Sequence, residues 1–462
     1  MNYIIPPTTC PELPKKIAPA LPNYPLPEGY ENANAYLEYL AFQGATKLYG
    51  SSIPEEVVGR LQFELDIIKE KNVADYFLII EDMVRIAREG FNILVGPGRG
   101  SSAGSLICYC LGITKVDPLK HDLLFERFLS PERNVMPDID IDCEQGSMDI
   151  IVDYLKERYR ETNVSYIITY NHARDNERTF ISHGIHACGV AMSKLPLSYY
   201  TPMAMVDGKV VTVYDCHIIE DAGPIKIDIL DWDMLTQMHK IIDLIKQKKQ
   251  ISIDIDSIDT NDQSTLDAFA NGETNGVTQF SSNYIKKILL SMKSPKFEDL
   301  CALNAMYRPG PDFIPDYISR KNGDSAIKYQ LPIMEKYLKQ THGVMVYQEQ
   351  LMLLLRLIAN FTRAESDDCR KAIGKRKKDK VDVFHTKFID GGISNGYDKC
   401  VLEEVWNKMD KDGVYLFNKS HTVCYTFLAF QMMYLKVHLP MDHKAYDRIL
   451  PNITYDMLLF PE

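Results

Sequence analysis

No stretch of this sequence approaches the ~20 consecutive apolar residues that a bilayer-spanning helix needs, so no segment reads as a membrane span. The opening residues, MNYIIPPTTCPELPKK, show no basic region followed by an apolar one, which argues against a secretory signal. The ten cysteines include no Cys-x-x-Cys pair. That removes the common zinc frameworks and suggests reduced thiols in a cytoplasmic setting. His183, His186 and Cys188 stand close together, but no fourth ligand follows at zinc-type spacing. No glycine-rich turn is followed by Gly-Lys-Ser/Thr, so there is no P-loop. Internal repeats are absent as well. Positive charge is not in excess either: the net charge is −11. That is awkward for a chain that grips phosphates, unless the basic residues are concentrated locally.

What is present is an ordinary globular composition, 45% hydrophobic and 25% charged over 462 residues, enough for two to four domains with a sizeable core. Residues 1–30 are proline-rich, with Pro6, Pro7, Pro11, Pro14, Pro19, Pro22, Pro25 and Pro27, and read as an extended arm. Apolar spacing predicts helices over 33–49 and 55–89, the second passing into a more buried segment. Strand-like runs fall at 91–95, 138–142, 164–170, 210–214 and 225–230, interleaved with helical stretches at 147–160 and 232–248. That alternation predicts an α/β domain over about 31–250. A mainly helical domain follows over 251–450, broken near 308–311, 322–332 and 391–396, and then a short tail, 451–462.

The most informative run is Met-Pro-Asp-Ile-Asp-Ile-Asp at 136–142. In a strand, Asp138, Asp140 and Asp142 would line one face while Ile139 and Ile141 anchor the other. Close carboxylates repel and raise each other's pKa unless a cation neutralises them. Mg²⁺ prefers oxygen ligands and commonly combines one or two carboxylates with water and substrate phosphate. The run therefore suits a divalent metal, although a solvated edge strand shows the same pattern. The glycine-rich GPGRGSSAGS (96–105) follows the strand-like FNILV. Its backbone N–H groups could cradle a triphosphate, or it is a plain turn. IKIDIL (225–230) places Lys226 and Asp228 on one strand face. Such a carboxylate could complete a two-metal site, or the two residues are a surface ion pair. Arg370, Lys371, Lys375, Arg376, Lys377, Lys378 and Lys380 make one dense basic segment, which suits nucleic acid but also a solvated helix face. His421, in FNKSH, reads first as a satisfied structural histidine, with ligand contact as the alternative.

Taken in order, these segments resemble the family C replicative DNA polymerases, the catalytic alpha subunits of bacterial DNA polymerase III. The matching stretches include RLQFELDIIKEKNVADYFLII (60–80), GPGRGSSAGSLICYCLGITKVDPLKHDLLFERFLSPER (96–133), MPDIDID (136–142), GIHACGV (184–190), KIDIL (226–230), YRPGP (307–311), THGVMVYQEQ (341–350), CRKAIGKRK (369–377) and LFNKSH (416–421). The resemblance implies a palm of the polymerase β-like nucleotidyltransferase type over 31–250 and helical fingers over 251–450. It implies template-directed addition of dNTPs to a primer 3′-hydroxyl, with two Mg²⁺ ions held by Asp138, Asp140 and Asp228 and Asp142 as a neighbour. Gly100, Ser101, Lys226, Arg370, Lys371, Lys375 and His421 fall at positions that contact the nucleotide in the family. Arg376, Lys377 and Lys378 are expected to bind DNA. Lys371 stands where relatives often have arginine, which keeps the charge but loses the bidentate geometry.

Departures from the family pattern accompany the resemblance. The family's N-terminal PHP domain, its thumb and its C-terminal domains are expected to be missing, and the interval between Asp140 and Asp228 leaves little room for a thumb. Template-independent nucleotidyl transfer and a degenerate DNA- or replisome-binding subunit are the alternative readings. The tail DMLLF resembles the short peptide with which bacterial polymerases dock on a sliding clamp, through Met457, Leu459 and Phe460.

Overall fold

The computed structural model describes residues 16–130, 132, 136–172, 180–307 and 313–438. They divide into two compact units. The first comprises the described residues within Met1–Ser102, Leu106–Thr114 and Asn134–His239, and the second those within Ala103–Ser105, Lys115–Arg133 and Lys240–Glu462.

The first unit begins with three helices, α1 (Ala33–Tyr49), α2 (Glu55–Glu70) and α3 (Ala74–Arg85). Asn32 starts α1 by accepting the Ala35 N–H at 3.0 Å, satisfying a donor that a helix leaves open at its first turn. Leu37, Ala41 and Ala45 recur every four residues and form the buried stripe of α1. α3 is buried on nearly every side, from Tyr76 to Ile80 and again at Met83 and Val84. A short helix, α4 (Leu106–Cys110), crosses α1 so closely that a Cβ on Gly44 would stand 1.9 Å from the Cys110 carbonyl oxygen. Glu64 of α2 is fully buried. Its carboxylate accepts the Leu106 and Ile107 N–H groups at 2.9 and 3.1 Å and pairs with Arg60, so it caps α4.

Among the described residues six strands form one mixed sheet: β1 (Ile141–Cys143), β2 (Val164–His172), β3 (Phe180–Met192), β4 (Met203–Val206), β5 (Lys209–Asp215) and β6 (Ile225–Asp231). Their order is β1-β6-β3-β2-β5-β4. β1 runs parallel to β6 and β2 parallel to β5, and the remaining neighbours are antiparallel. α5 (Ser147–Tyr159) packs on this sheet through Ile151, Val152 and Leu155. α6 (Asp233–Lys249) leaves β6, and the division between the units falls within it.

Two expectations change here. The strand foreseen over 138–142 is only three residues long, beginning at Ile141, because residues before it find no ladder partner on β6. FNILV contributes a single bridge, Val95 to Cys143, rather than a strand. The long strand Phe180–Met192 was not foreseen, since its histidines and glycines blur the two-residue alternation.

The second unit is helical: α7 (Gln263–Ala270), α8 (Asn283–Ser291), α9 (Phe297–Met306), α10 (Ile314–Lys321), α11 (Glu335–Leu338), α12 (Gln348–Ala359), α13 (Arg363–Gly374), α14 (Lys378–Ser394), α15 (Lys399–Gly413) and α16 (Lys419–His438). Leu351, Leu354, Leu355, Ile358, Phe388, Leu402 and Trp406 anchor the core shared by α12, α14 and α15. The described residues within 115–133, which lie between two parts of the first unit in sequence, belong to this unit. They are tied in by ion pairs of Lys115 with Asp256 and of Glu126 with Arg356 and Arg363. No described helix is long and apolar enough to cross a membrane.

Candidate active site

The acidic run enters the sheet beside the strand that carries its partner. Ile139 and Ile141 are buried at 1% and 4% exposure. The run is tied to α3, whose buried Tyr76 hydroxyl accepts the Ile139 N–H at 3.1 Å. The alternating Asp138 and Asp140 are left more exposed. Ile141 pairs with Ile229 in the parallel ladder, so the residues one step before each, Asp140 and Asp228, stand side by side on one face. One oxygen from each of Asp138, Asp140 and Asp228 lies within 4.8 Å of the others. Asp142, the third aspartate of the run, is not part of this cluster. It is 5% exposed and accepts from Arg99 Nη1 at 3.1 Å.

Three carboxylates this close need neutralising charge. Lys226 donates to Asp228 Oδ2, and Arg99 Nε lies 3.7 Å from Asp140 Oδ2. Desolvation, followed by the charges of Asp138 and Asp228, pushes the Asp140 carboxyl up to about 6, against the pull of Arg99 and Lys226. Burial works against the Lys226 ammonium. Its hydrogen bond to Asp228 and the charges of Asp228, Asp138 and Glu220 outweigh that, and its pKa stands above the ordinary lysine value. The donor set is all oxygen, hard and anionic, which fits a small divalent cation of the magnesium type.

The glycine loop borders the cluster. Gly100 adopts φ +65°, and a Cβ there would stand 3.6 Å from Asp140 Oδ2. Ser101 follows it, and the Ser102 hydroxyl donates to the Arg99 carbonyl at 2.8 Å, closing the turn. On the other side β3 presents Gly189 opposite Asp228. The Cys188 thiol reaches Asp228 Oδ1 at 3.8 Å, and the Gly189 N–H donates to His186 Nδ1 at 2.9 Å. Burial, then the Asp228 charge, pushes the Cys188 thiol up to about 11, which keeps it protonated.

The other nominated residues belong to the second unit. Arg370 and Lys371 converge on the buried Asp367 of their own helix, α13. Lys375 is exposed at the end of that helix, and Arg376, Lys377 and Lys378 are exposed after it. His421, in the first turn of α16, stacks on Tyr425 at a ring separation of 4.4 Å. The tail residues Met457, Leu459 and Phe460 lie outside the described residues.

Sequence reasoning passed over Arg99 and Glu220 around the carboxylates, and Arg127, Gln348 and Asp367 around Arg370; Cys188, considered there with His183 and His186 as a metal group, lies instead beside Asp228. Arg99 and Arg127 were findable, because each is a cation inside a motif already singled out. Glu220 reaches the cluster from the turn after β5, which no local pattern reveals.

Residues 35–179 and 172–231 match the family model described as the bacterial DNA polymerase III alpha NTPase domain. Residues 234–396 match the model described as the bacterial DNA polymerase III alpha subunit finger domain. Curated relatives named DNA polymerase III subunit alpha align over most of the chain. The Staphylococcus epidermidis (strain ATCC 12228) protein is 35% identical, covering 85% of this chain and 42% of its own length. That of Bacillus subtilis (strain 168) is 35% identical over 91% and 43%, and that of Aquifex aeolicus 32% identical over 92% and 44%. The chain thus spans less than half the length of these relatives.

Proposed function

The chain belongs to the bacterial DNA polymerase III alpha-subunit family, and on that premise we propose that it is a template-directed DNA polymerase that joins dNTPs to a primer 3′-hydroxyl. The observation that carries this reading is the meeting of Asp138, Asp140 and Asp228 oxygens within 4.8 Å on the β1/β6 face, inside the residues the family model matches. The first unit is then a palm of the polymerase β-like type and the second its helical fingers.

Asp138, Asp140 and Asp228 would hold two Mg²⁺ ions. When bound, these supply a Lewis acid that stabilises the charge on the attacking and leaving oxygens of an in-line displacement at the α-phosphate. The chain's own residues do the rest. Ile139 and Ile141 anchor the run that carries two of the aspartates, so the ligands are preorganised. Arg99 and Lys226 limit carboxylate repulsion before any cation arrives. Lys226 then stands ready to face a phosphate. The backbone at Gly100 and Ser101 is open enough to approach a triphosphate. Arg370, Lys371, Lys375 and His421 are assigned to the nucleotide, and Arg376, Lys377 and Lys378, all exposed, to the DNA backbone. Met457, Leu459 and Phe460 are assigned to a sliding clamp.

Primer extension with and without template, with each dNTP alone, tests the reading. Template-matched, Mg²⁺-dependent addition is the expected result. Addition that ignores the template, or no addition at all, overturns it. For the tail, Leu459→Ala with Phe460→Ala should leave single-nucleotide addition intact and abolish stimulation by a clamp. A wild-type chain that shows no clamp binding refutes that assignment.

A further inference from the structure

Asp367 sits in α13, one turn before Arg370, with its side chain 3% exposed. Burying a carboxylate is costly unless cations and donors surround it, and here they do. Arg370 donates to Asp367 Oδ1 from Nε at 2.9 Å, and its Nη2 lies 2.8 Å from the same oxygen as an ion pair. Lys371 Nζ lies 3.5 Å from Oδ2, and Arg127 Nη1 lies 3.6 Å from Oδ1. A second acceptor completes the arrangement. Gln348 opens α12, and its Nε2 donates to the Leu416 carbonyl at 3.1 Å, which turns its Oε1 toward the arginines. That oxygen accepts from Arg127 Nη2 at 2.9 Å and from Arg370 Nη1 at 3.3 Å.

The Arg370 guanidinium carries five N–H groups. Asp367 accepts from Nε and Gln348 from Nη1. The other N–H groups are carried by the terminal nitrogens Nη1 and Nη2, the donors with which a guanidinium meets phosphate oxygens. The grip on Nε and Nη1 fixes the guanidinium plane and so the direction of those terminal nitrogens. The helix is itself fixed, because Thr362 and Glu365 close a capping box at its start. Three cations, Arg127, Arg370 and Lys371, meet the buried carboxylates Asp367 and Glu349, whose Oε1 lies 3.8 Å from Arg127 Nε. Burial pushes the Arg370 pKa down, and the charges of Glu349 and Asp368 do not make up the difference.

We propose that Asp367 is a positioning residue for the incoming nucleotide. It orients Arg370, and with it Lys371, so that the terminal nitrogens of Arg370 and the neighbouring ammonium receive the triphosphate, with Gln348 fixing the same guanidinium through Nη1. The inference rests on the polymerase reading above. It separates a nucleotide role from that of an ordinary ion pair between helix turns, which would support folding alone.

The test uses the full chain, with dNTP titrated in single-nucleotide addition for wild type, Asp367→Asn, Asp367→Glu, Arg370→Ala and the Asp367→Asn/Arg370→Ala double variant. Primer–template affinity and thermal unfolding are measured alongside. Losing the charge-assisted hydrogen bond and ion pair that hold Arg370 should raise the KM for dNTP about ten-fold or more, with kcat and DNA affinity little changed. Asp367→Glu should recover part of that loss. The double variant should be no worse than Arg370→Ala, because Asp367 acts through Arg370. If Asp367→Asn does not fold, Asp367→Glu and the matching double variant give the same comparison. A KM that rises for Arg370→Ala and not for the Asp367 variants overturns this inference alone. So do effects that multiply in the double variant. A wild-type chain that adds no nucleotide overturns the polymerase reading and this inference with it.

Discussion

Replacing Asp228 by asparagine keeps the shape of β6 and removes one negative charge from the cluster. Its effect can be sized from the geometry. The three ligand oxygens lie within 4.8 Å of each other. At that separation, with an effective dielectric near 20, one unit charge changes the energy of another by about 3–4 kcal/mol. At ~1.36 kcal/mol per factor of ten, this alone is a few hundred-fold in the rate of a step that depends on the bound cation. Lys226 adds to the loss, because its ammonium now donates to Asp228 and would remain beside the cluster with that partner neutralised. A fall of about 10³ or more in Mg²⁺-dependent nucleotide addition is therefore expected, together with a higher Mg²⁺ requirement. Rapid-quench single-turnover addition over a Mg²⁺ titration reads both. Asp138→Asn and Asp140→Asn should behave alike. Asp142→Asn should be milder in rate, since Asp142 pairs with Arg99 outside the cluster. Near-wild-type addition by Asp228→Asn would refute the argument.

Other consequences follow from local geometry. Gly44→Ala would force a methyl into the Cys110 carbonyl, so overpacking should cost about 1–3 kcal/mol and lower the unfolding midpoint; an unchanged midpoint would mean that α1 and α4 do not cross as described. Replacing Arg376, Lys377 and Lys378, all exposed, by glutamine should weaken primer–template binding and reduce its slope against log salt by roughly one for each phosphate no longer neutralised, while the KM for dNTP stays near its starting value; a fixed slope counts against DNA binding by these residues. His121 is buried against Phe297, and burial, helped by Lys120 and Lys419, lowers its pKa to about 3. The unfolded chain takes up this proton near pH 6.5 and the folded chain does not, so stability is lost as pH falls from 6.5 toward 3, by about 1 kcal/mol over the first unit. Denaturant midpoints of His121→Gln should lack that share of the slope, and identical slopes for the two proteins would refute it.

Some of this protein was legible from its residues alone. Alternation of aspartate and isoleucine in 138–142 is a local property of extended backbone, so the outward Asp138 and Asp140 and the buried Ile139 and Ile141 could be read directly; Asp142, expected on the same face, is instead buried and paired with Arg99. Helix α1 announces itself through its apolar spacing for the same reason. The family was legible because its motifs are short, dense and ordered. Asp228 is different. Nothing local says that it meets Asp140; its resemblance-based assignment acquires a physical reason only when Ile141 pairs with Ile229 in a parallel ladder. Arg99, Glu220 and Cys188 likewise reach the carboxylates from a loop, a turn and a neighbouring strand. The buried Asp367 collects Arg370 from its own helix, Lys371 beside it, and Arg127 from a segment more than two hundred residues earlier in the chain. Burial decides that a carboxylate must gather cations, and only the tertiary fold decides which cations lie within reach.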